Sequence, residues 1–225
     1  MAEHPLDNPI WNSLVSAHAR EAIGGDHARR YAPDVAPFAA VDSPTEEAER
    51  QLREIVQVGE RICVLGVAPP FLTAWNIVKE TDIVQYIWEG DRGGASDEEI
   101  VRLTREDYLA MLELTGLVYP AYFRAGTADL GDYFGIKKDG RLSAMAGTRM
   151  SMNGFREVSA VCTHPDFRGR GYARRLMDHL ISHIEAGGNT PFLHTEEENE
   201  AARSLYDSMG FTLRRLIPFW VIERP

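Results

Sequence analysis

Three apolar runs near the middle of the chain, 133–137, 142–150 and 156–163, are separated by Asp139-Gly140 and Asn153-Gly154. Such dipeptides between strand-like runs are strong hairpin signals, so the runs predict an antiparallel meander. At Tyr172 the period changes. Tyr172, Leu176, Leu180 and Ile184 share one helical face until Gly187-Gly188 stops the helix. The short apolar run 192–195 follows. That makes the helix a crossover between parallel strands, right-handed by the usual rule. A helix over 199–209 and one or two strands within 211–221 complete the pattern. The expected fold class is α/β: a mixed sheet in which an antiparallel meander is followed by a parallel βαβ crossover.

The first eighty residues have a rhythm of their own. Trp11, Leu14, Val15, His18 and Ala22 recur at helical spacing up to Gly24-Gly25 and predict a helix, and a short strand is expected over 35–41. Ser43-Pro44-Thr45-Glu46 reads as a capping box with proline at the first helical position, opening a helix with Leu52, Ile55 and Val56 on one face. Residues 61–67 form a branched apolar run typical of a buried strand, ended by Ala68-Pro69-Pro70. Further on, 82–88 reads as a strand and the next loop carries Gly90, Gly93 and Gly94. Thr104-x-x-Asp107 then caps a helix bearing Tyr108, Met111 and Leu112, closed by Gly116. The expected organisation is an N-terminal α/β extension, 1–80, and a second unit, 81–225.

Composition narrows the function classes. With 225 residues, 44% hydrophobic and 26% charged, the chain has the make-up of an ordinary globular protein and enough length to bury a sizeable core. No apolar run approaches the roughly 20 residues of a membrane span. The N-terminus lacks the basic-then-apolar layout of a signal peptide, so a cytoplasmic protein without a membrane partner is expected. Cys63 and Cys162 both lie in apolar runs and read as buried free thiols. A net charge of −10 argues against nucleic acid as a partner. His4, His18 and His27 show no metal-ligand spacing, and no metal is expected.

The stretch most suggestive of chemistry lies between the third meander strand and the crossover helix. Residues 163–167 turn the chain, and Arg168-Gly169-Arg170-Gly171 leads into the helix at Tyr172. Glycines there let the backbone approach a ligand closely, while the free N–H groups and dipole of the helix start favour phosphate. Alone, the pattern fits a tight strand-to-helix turn with solvated arginines equally well. The longer pattern is more specific. Arg168-x-x-Gly171-x-Ala173 follows a strand, and Asn199-x-x-Ala202-x-x-Leu205-Tyr206-x-x-x-Gly210-Phe211 follows a helix and another strand. In that order the motifs resemble the GNAT superfamily of acyl-CoA N-acyltransferases, whose pyrophosphate loop reads Gln/Arg-x-x-Gly-x-Gly/Ala. Arg at 168 and Ala at 173 are mild departures. The resemblance covers about residues 82–225 and does not explain the first eighty.

The resemblance implies an N-acetyltransferase with acetyl-CoA as the acyl donor. Arg168, Gly169, Arg170, Gly171, Tyr172, Ala173 and Arg174 would hold the pyrophosphate through backbone N–H groups and cationic side chains. Val161, Cys162 and Thr163, at the end of the preceding strand, would hold the acyl carbonyl and pantetheine amides with main-chain groups, Cys162 itself being a packing residue. Asn199 would hydrogen-bond the pantetheine arm. Glu157 stands eleven residues before Arg168, the offset at which histone acetyltransferase members carry a glutamate base. On a largely buried strand, desolvation should raise its pKa toward a useful value. The alternative is a structural glutamate paired with an arginine such as Arg149 across the hairpin. Tyr206 is the candidate acid for the departing thiolate, or else a core aromatic beside Leu205. His194 reads as a satisfied structural histidine, and Glu196-Glu197-Glu198 as a solvated helix cap.

Tyr119, Tyr122, Phe123 and Arg124 would line the acceptor side. Aromatic walls and one fixed cation suit a small amine carrying a carboxylate, held by Arg124, unless these residues pack on 1–80 with Arg124 at the surface. The N-terminal extension is expected to cover that cleft, which favours a small-molecule primary amine over a protein tail. The fuller expectation is direct attack of the amine on acetyl-CoA, with Glu157 as base and Tyr206 as acid, in a chain compatible with a homodimer. A non-catalytic acyl-CoA sensor is the alternative. RNA binding through Arg-Gly-Arg-Gly fails on net charge and on lack of repetition.

Overall fold

The computed structural model describes residues 4–70, 72–90, 97–118, 120 and 122–225. After a single 3-10 turn, Pro5–Asp7, the elements are α1 (Pro9–Leu14), β1 (Ala22–Gly24), β2 (Ala28–Tyr31), β3 (Ala39–Val41), α2 (Glu46–Ile55), β4 (Arg61–Leu65) and β5 (Asn76–Trp88). Then come β6 (Ile100–Arg102), α3 (Tyr108–Val118), β7 (Tyr133–Lys138), β8 (Arg141–Met152), β9 (Phe155–Thr163), α4 (Tyr172–Ala186), β10 (Thr190–Glu196), α5 (Glu200–Met209) and β11 (Phe211–Glu223). A three-stranded sheet has the order β1-β2-β3, and an eight-stranded one the order β4-β11-β5-β10-β9-β8-β7-β6.

The meander is β7-β8-β9, antiparallel and turned where the two glycine dipeptides stand. Through α4 it continues into β10, which pairs parallel to β9 and antiparallel to β5. The mixed sheet therefore has the expected class. One face of it is covered by α4, whose Leu176, Met177, Leu180 and Ile184 are buried against Val84, Val158 and Leu193. The other face is covered by the N-terminal segment, where Leu6, Ile10, Leu14 and Tyr31 pack with Met150, Met152, Phe192 and Ile217. Alternation along β10 sends Phe192 to one side and Leu193 to the other. Two buried faces explain why two adjacent residues, Phe192 and Leu193, are both apolar.

Several elements differ from the sequence expectation. α1 ends at Leu14 because the chain then turns to bury a hydrogen-bonded trio: Ser13 Oγ lies 3.0 Å from the Tyr31 hydroxyl and 3.1 Å from His18 Nδ1. The strand expected over 35–41 shrinks to β3, since Pro37 has no N–H to donate to a ladder. The cap of α2 is Thr45, which accepts from the Ala48 N–H at 3.2 Å, rather than Ser43. α3 runs past Gly116 to Val118, and β6 was not foreseen. β5 is longer than 82–88 because β11 pairs with it from Asn76 to Trp88, whereas β10 reaches only 83–87. Residues 61–65, from the first eighty, pair with 219–223 of β11 at the sheet edge, and position 80 falls inside β5.

Candidate active site

The site begins where β9 and β10 part. Their ladder has three pairs, the last being Phe192↔Glu157, yet β9 runs on to Thr163 and β10 to Glu196. The strands diverge like a wedge whose main-chain edges face a gap. β9 also bulges against β8 between Met145 and Gly147, and Ala160 sits at φ 52. A left-handed non-glycine residue costs about 1–3 kcal/mol, and such strain is kept where a strand must be re-aimed.

A short 3-10 turn, Pro165–Phe167, connects β9 to α4. Gly171 caps α4 at φ 74 and offers no side chain to its first N–H groups, and among the described residues no other side chain accepts from them. Gly169 is at φ 75. A Cβ at either position would meet no atom within 4 Å, so the left-handed backbone, not crowding, calls for glycine. The result is an anion-binding helix start. Arg170 lies 5.0 Å over the Phe167 ring, Arg174 is tethered to Ser208 of α5, and the Tyr172 ring is buried in the α4 core, leaving its main chain for the loop.

Within the wedge is a cavity of about 210 Å³, walled by Glu157, Val161, Cys162, His194, Asn199 and Tyr206 among others. Thr163 and residues 168–174 are not in that wall; they follow it at the helix end. Glu157 is fully buried. Its Oε1 accepts from Arg149 Nη2 and His194 Nδ1, each at 2.9 Å, and its Oε2 from Arg149 Nε at 2.8 Å and the Met150 N–H at 3.3 Å. The β8 bulge between Thr148 and Ser151 sets Arg149 and Met150 opposite this one residue. The expectation of a raised pKa is reversed. Burial pushes the carboxyl up, but the Arg149 charge and the donors on Arg149 and His194 hold it down at about 2. Four donors occupy its lone-pair sites, so a direct base role would require it to release one of them.

The His194 ring is held from its other side by Gln85, its cross-strand partner on β5. Gln85 Oε1 accepts from Arg214 Nη1 at 2.6 Å, so its amide nitrogen is the donor to the Leu6 carbonyl at 2.8 Å and to His194 Nε2 at 3.0 Å. The hydrogen-bond network thus assigns the imidazole proton to Nδ1, which donates to Glu157. Arg214 extends the chain of contacts to Asp7 at 2.7 Å.

Tyr206, on α5, is 8% exposed and stands edge-on to Tyr86 and Phe211, with centroids 6.0 and 5.9 Å away. Burial pushes its hydroxyl up to about 12, so it stays protonated. The Cys162 thiol is likewise raised to about 12 by burial, which suits packing and not nucleophilic attack. Asn199 caps α5, accepting from the Ala202 N–H at 3.2 Å. Of the expected acceptor residues, Tyr122 and Phe123 line the cavity, and Tyr119 lies outside the described residues. Arg124 is not in the wall. Its guanidinium bonds the Pro33 carbonyl and its N–H the Thr127 hydroxyl, pinning this loop to the N-terminal segment. The cation in the cavity wall is Arg149.

A family model described as FR47-like protein matches residues 133–221. The ribosomal protein bS18-alanine N-acetyltransferase of Salmonella typhimurium strain LT2 is 37% identical over 84 residues, 36% of this chain and 56% of that one. An L-amino acid N-acyltransferase of Escherichia coli K12 is 32% identical over 78 residues, 33% of this chain and 45% of that one. The chain thus spans about half the length of the curated relatives it matches. A crystal structure of a GNAT-family protein from Novosphingobium aromaticivorans DSM 12444 is 35% identical, covering 99% of this chain and 100% of that one with a TM-score of 0.91. This chain belongs to the GNAT family. In the candidate site, Gln85, Arg214 and Asp7 are among the residues that sequence reasoning missed. One signal was there: Gln85 is a lone amide in the apolar run Ile83-Val84-Gln85-Tyr86-Ile87.

Proposed function

We propose that this chain, acting in the cytoplasm, transfers an acetyl group from acetyl-CoA to the primary amine of a small molecule. The observation that carries the reading is the β9/β10 wedge with the uncapped N-terminus of α4 just beyond it. One gap offers main-chain groups to an amide-bearing arm and an anion site to a pyrophosphate. In this reading Arg168, Gly169, Arg170, Gly171, Tyr172, Ala173 and Arg174 hold the pyrophosphate. The main chain of Val161, Cys162 and Thr163 holds the thioester carbonyl and pantetheine amides, and the Asn199 side-chain nitrogen reaches the same arm. The ammonium loses one proton to water, the neutral nitrogen bonds the acyl carbon, the carbon–sulfur bond breaks, and the second N–H proton passes to water as the amide forms. Tyr206 donates a hydrogen bond to the departing thiolate. Glu157 is the anion that holds Arg149 and His194 in the wall.

The N-terminal segment supports a small acceptor, because Phe38 and Leu65 stand behind Arg149 and narrow the space there. The relatives do not choose: one is named for a ribosomal protein and another for L-amino acids. The test is a CoA-thiol release assay over amino acids, polyamines, aminoglycosides and lysine peptides, run beside an acetyl-CoA thermal shift. Release with a small amine is expected. A thermal shift without release would mark an acyl-CoA sensor, and no thermal shift would remove the donor site itself.

A further inference from the structure

A second cavity, of about 60 Å³, opens off the first and shares Tyr122, Arg149, His194, Thr195 and Glu196 with it. The rest of its wall is apolar: Phe38 and Leu65 from the N-terminal segment, Ile83 on β5, Met150 on β8 and Phe219 on β11. Tyr122 lies parallel to Phe38 with centroids 6.3 Å apart and edge-on to Phe219 at 6.2 Å. The Arg149 guanidinium sits 4.6 Å over the Phe38 ring, so the side facing Glu157 is a cation already neutralised by a buried carboxylate.

We infer that this cavity takes a compact aliphatic group, carried on the carbon that bears the reacting amine. The inference rests on the acetyl-transfer reading above and names the acceptor class within it. Size is the first argument. An apolar cavity of ~150 Å³ holds one benzene, so 60 Å³ takes roughly two to four carbons and not a ring. Charge is the second. Arg149, the cation of this wall, is already paired with Glu157, so a carboxylate placed among Phe38, Leu65, Ile83 and Phe219 would be buried without compensation, and the wall's Glu196 is the carboxylate that meets the reacting ammonium. Position is the third. Glu196 lines both cavities, and its ion pair with Lys79 is between half-exposed side chains and easily exchanged. An incoming ammonium meets that carboxylate first, with the wedge on one side and the apolar cavity on the other.

The experiment measures kcat/KM for CoA release with glycinamide, alaninamide, valinamide, leucinamide, phenylalaninamide and spermidine. Each buried methylene adds about fourfold, so valinamide should exceed glycinamide by roughly tenfold or more, with a fall again at phenylalaninamide. Ile83→Phe narrows the cavity and should bring the valinamide-to-glycinamide ratio down toward one. An acetyl-CoA thermal shift on the same variant reports its folded state, and the ratio does not depend on the folded fraction. A flat series, a preference for spermidine or phenylalaninamide, or an unchanged ratio in Ile83→Phe overturns the inference while leaving acetyl transfer standing. Absence of CoA release with all six amines overturns the inference, and absence with the wider amine panel above overturns the transfer reading as well.

Discussion

The side-chain nitrogen of Gln85 lies 3.0 Å from Nε2 of His194, and that contact decides where the imidazole proton sits. With a donor at Nε2, the ring must donate from Nδ1, and the acceptor there is Glu157. Gln85→Glu replaces the donor by an acceptor, so a carboxylate then competes for the ring proton at each nitrogen. Imidazole ¹⁵N shifts measure this directly: the Nδ1–H form in the wild type, a changed pair of nitrogen shifts in the variant. Identical spectra would remove Gln85 as the group that sets the tautomer, a result that a merely structural role predicts.

Gly171 is left-handed and faces open space, so a larger side chain there is strained but does not collide. Gly171→Glu adds a negative charge at the helix start proposed for a pyrophosphate. The variant should fold with a stability loss of about 1–2 kcal/mol and show no rise in Tm with acetyl-CoA, where the wild type shows a clear one. A full thermal shift in the variant would move the donor site elsewhere.

Local physics was legible in the sequence. Asp139-Gly140 and Asn153-Gly154 marked the meander turns, and the spacing of Tyr172, Leu176, Leu180 and Ile184 marked α4. Motif order placed the glycine loop before α4 and Tyr206 on the helix after β10. What escaped depends on distant partners. β4 joins the sheet by pairing with β11 from the far end of the chain, and no local pattern carries that register. The short α1 follows from Tyr31 reaching back to Ser13 and His18. Glu157 lies on the third meander strand and lines the cavity, but the direction of its pKa needed Arg149 on β8 and His194 on β10 together. Arg124 was assigned by residue type alone, and Pro33 turned it away from the cavity.

For Glu157 the sign of the pH dependence follows from its lowered pKa. The carboxyl titrates near 2 when folded against an ordinary 4.5, so its stabilising contribution is present above about 4.5 and lost as pH falls toward 2. Glu157→Gln should flatten stability over that window. Arg149→Met, which leaves a buried carboxylate without its main partner, should cost about 3–5 kcal/mol at neutral pH by denaturant unfolding. Since Glu157 does not titrate between pH 6 and 9, the turnover lost in Glu157→Gln should be a constant factor across that range. A loss that shrinks as pH rises would restore Glu157 as the base.

The hydroxyl of Tyr206 stays protonated because burial holds its pKa at about 12, and it is therefore available as a donor whenever the thioester breaks. Tyr206→Phe deletes that oxygen and keeps the ring against Tyr86 and Phe211. Stability should change by about 1 kcal/mol or less, and the acetyl-CoA thermal shift should persist, while turnover falls by ~10²-fold. A purely structural tyrosine could give some loss as well, so the donor must be varied. An acetyl thioester with a more acidic thiol needs less help from an acid, and the gap between Tyr206 and Tyr206→Phe should narrow with it. An equal loss for both thioesters would place Tyr206 among the packing residues, since a side chain that only supports the wedge has no means of sensing how readily the sulfur leaves.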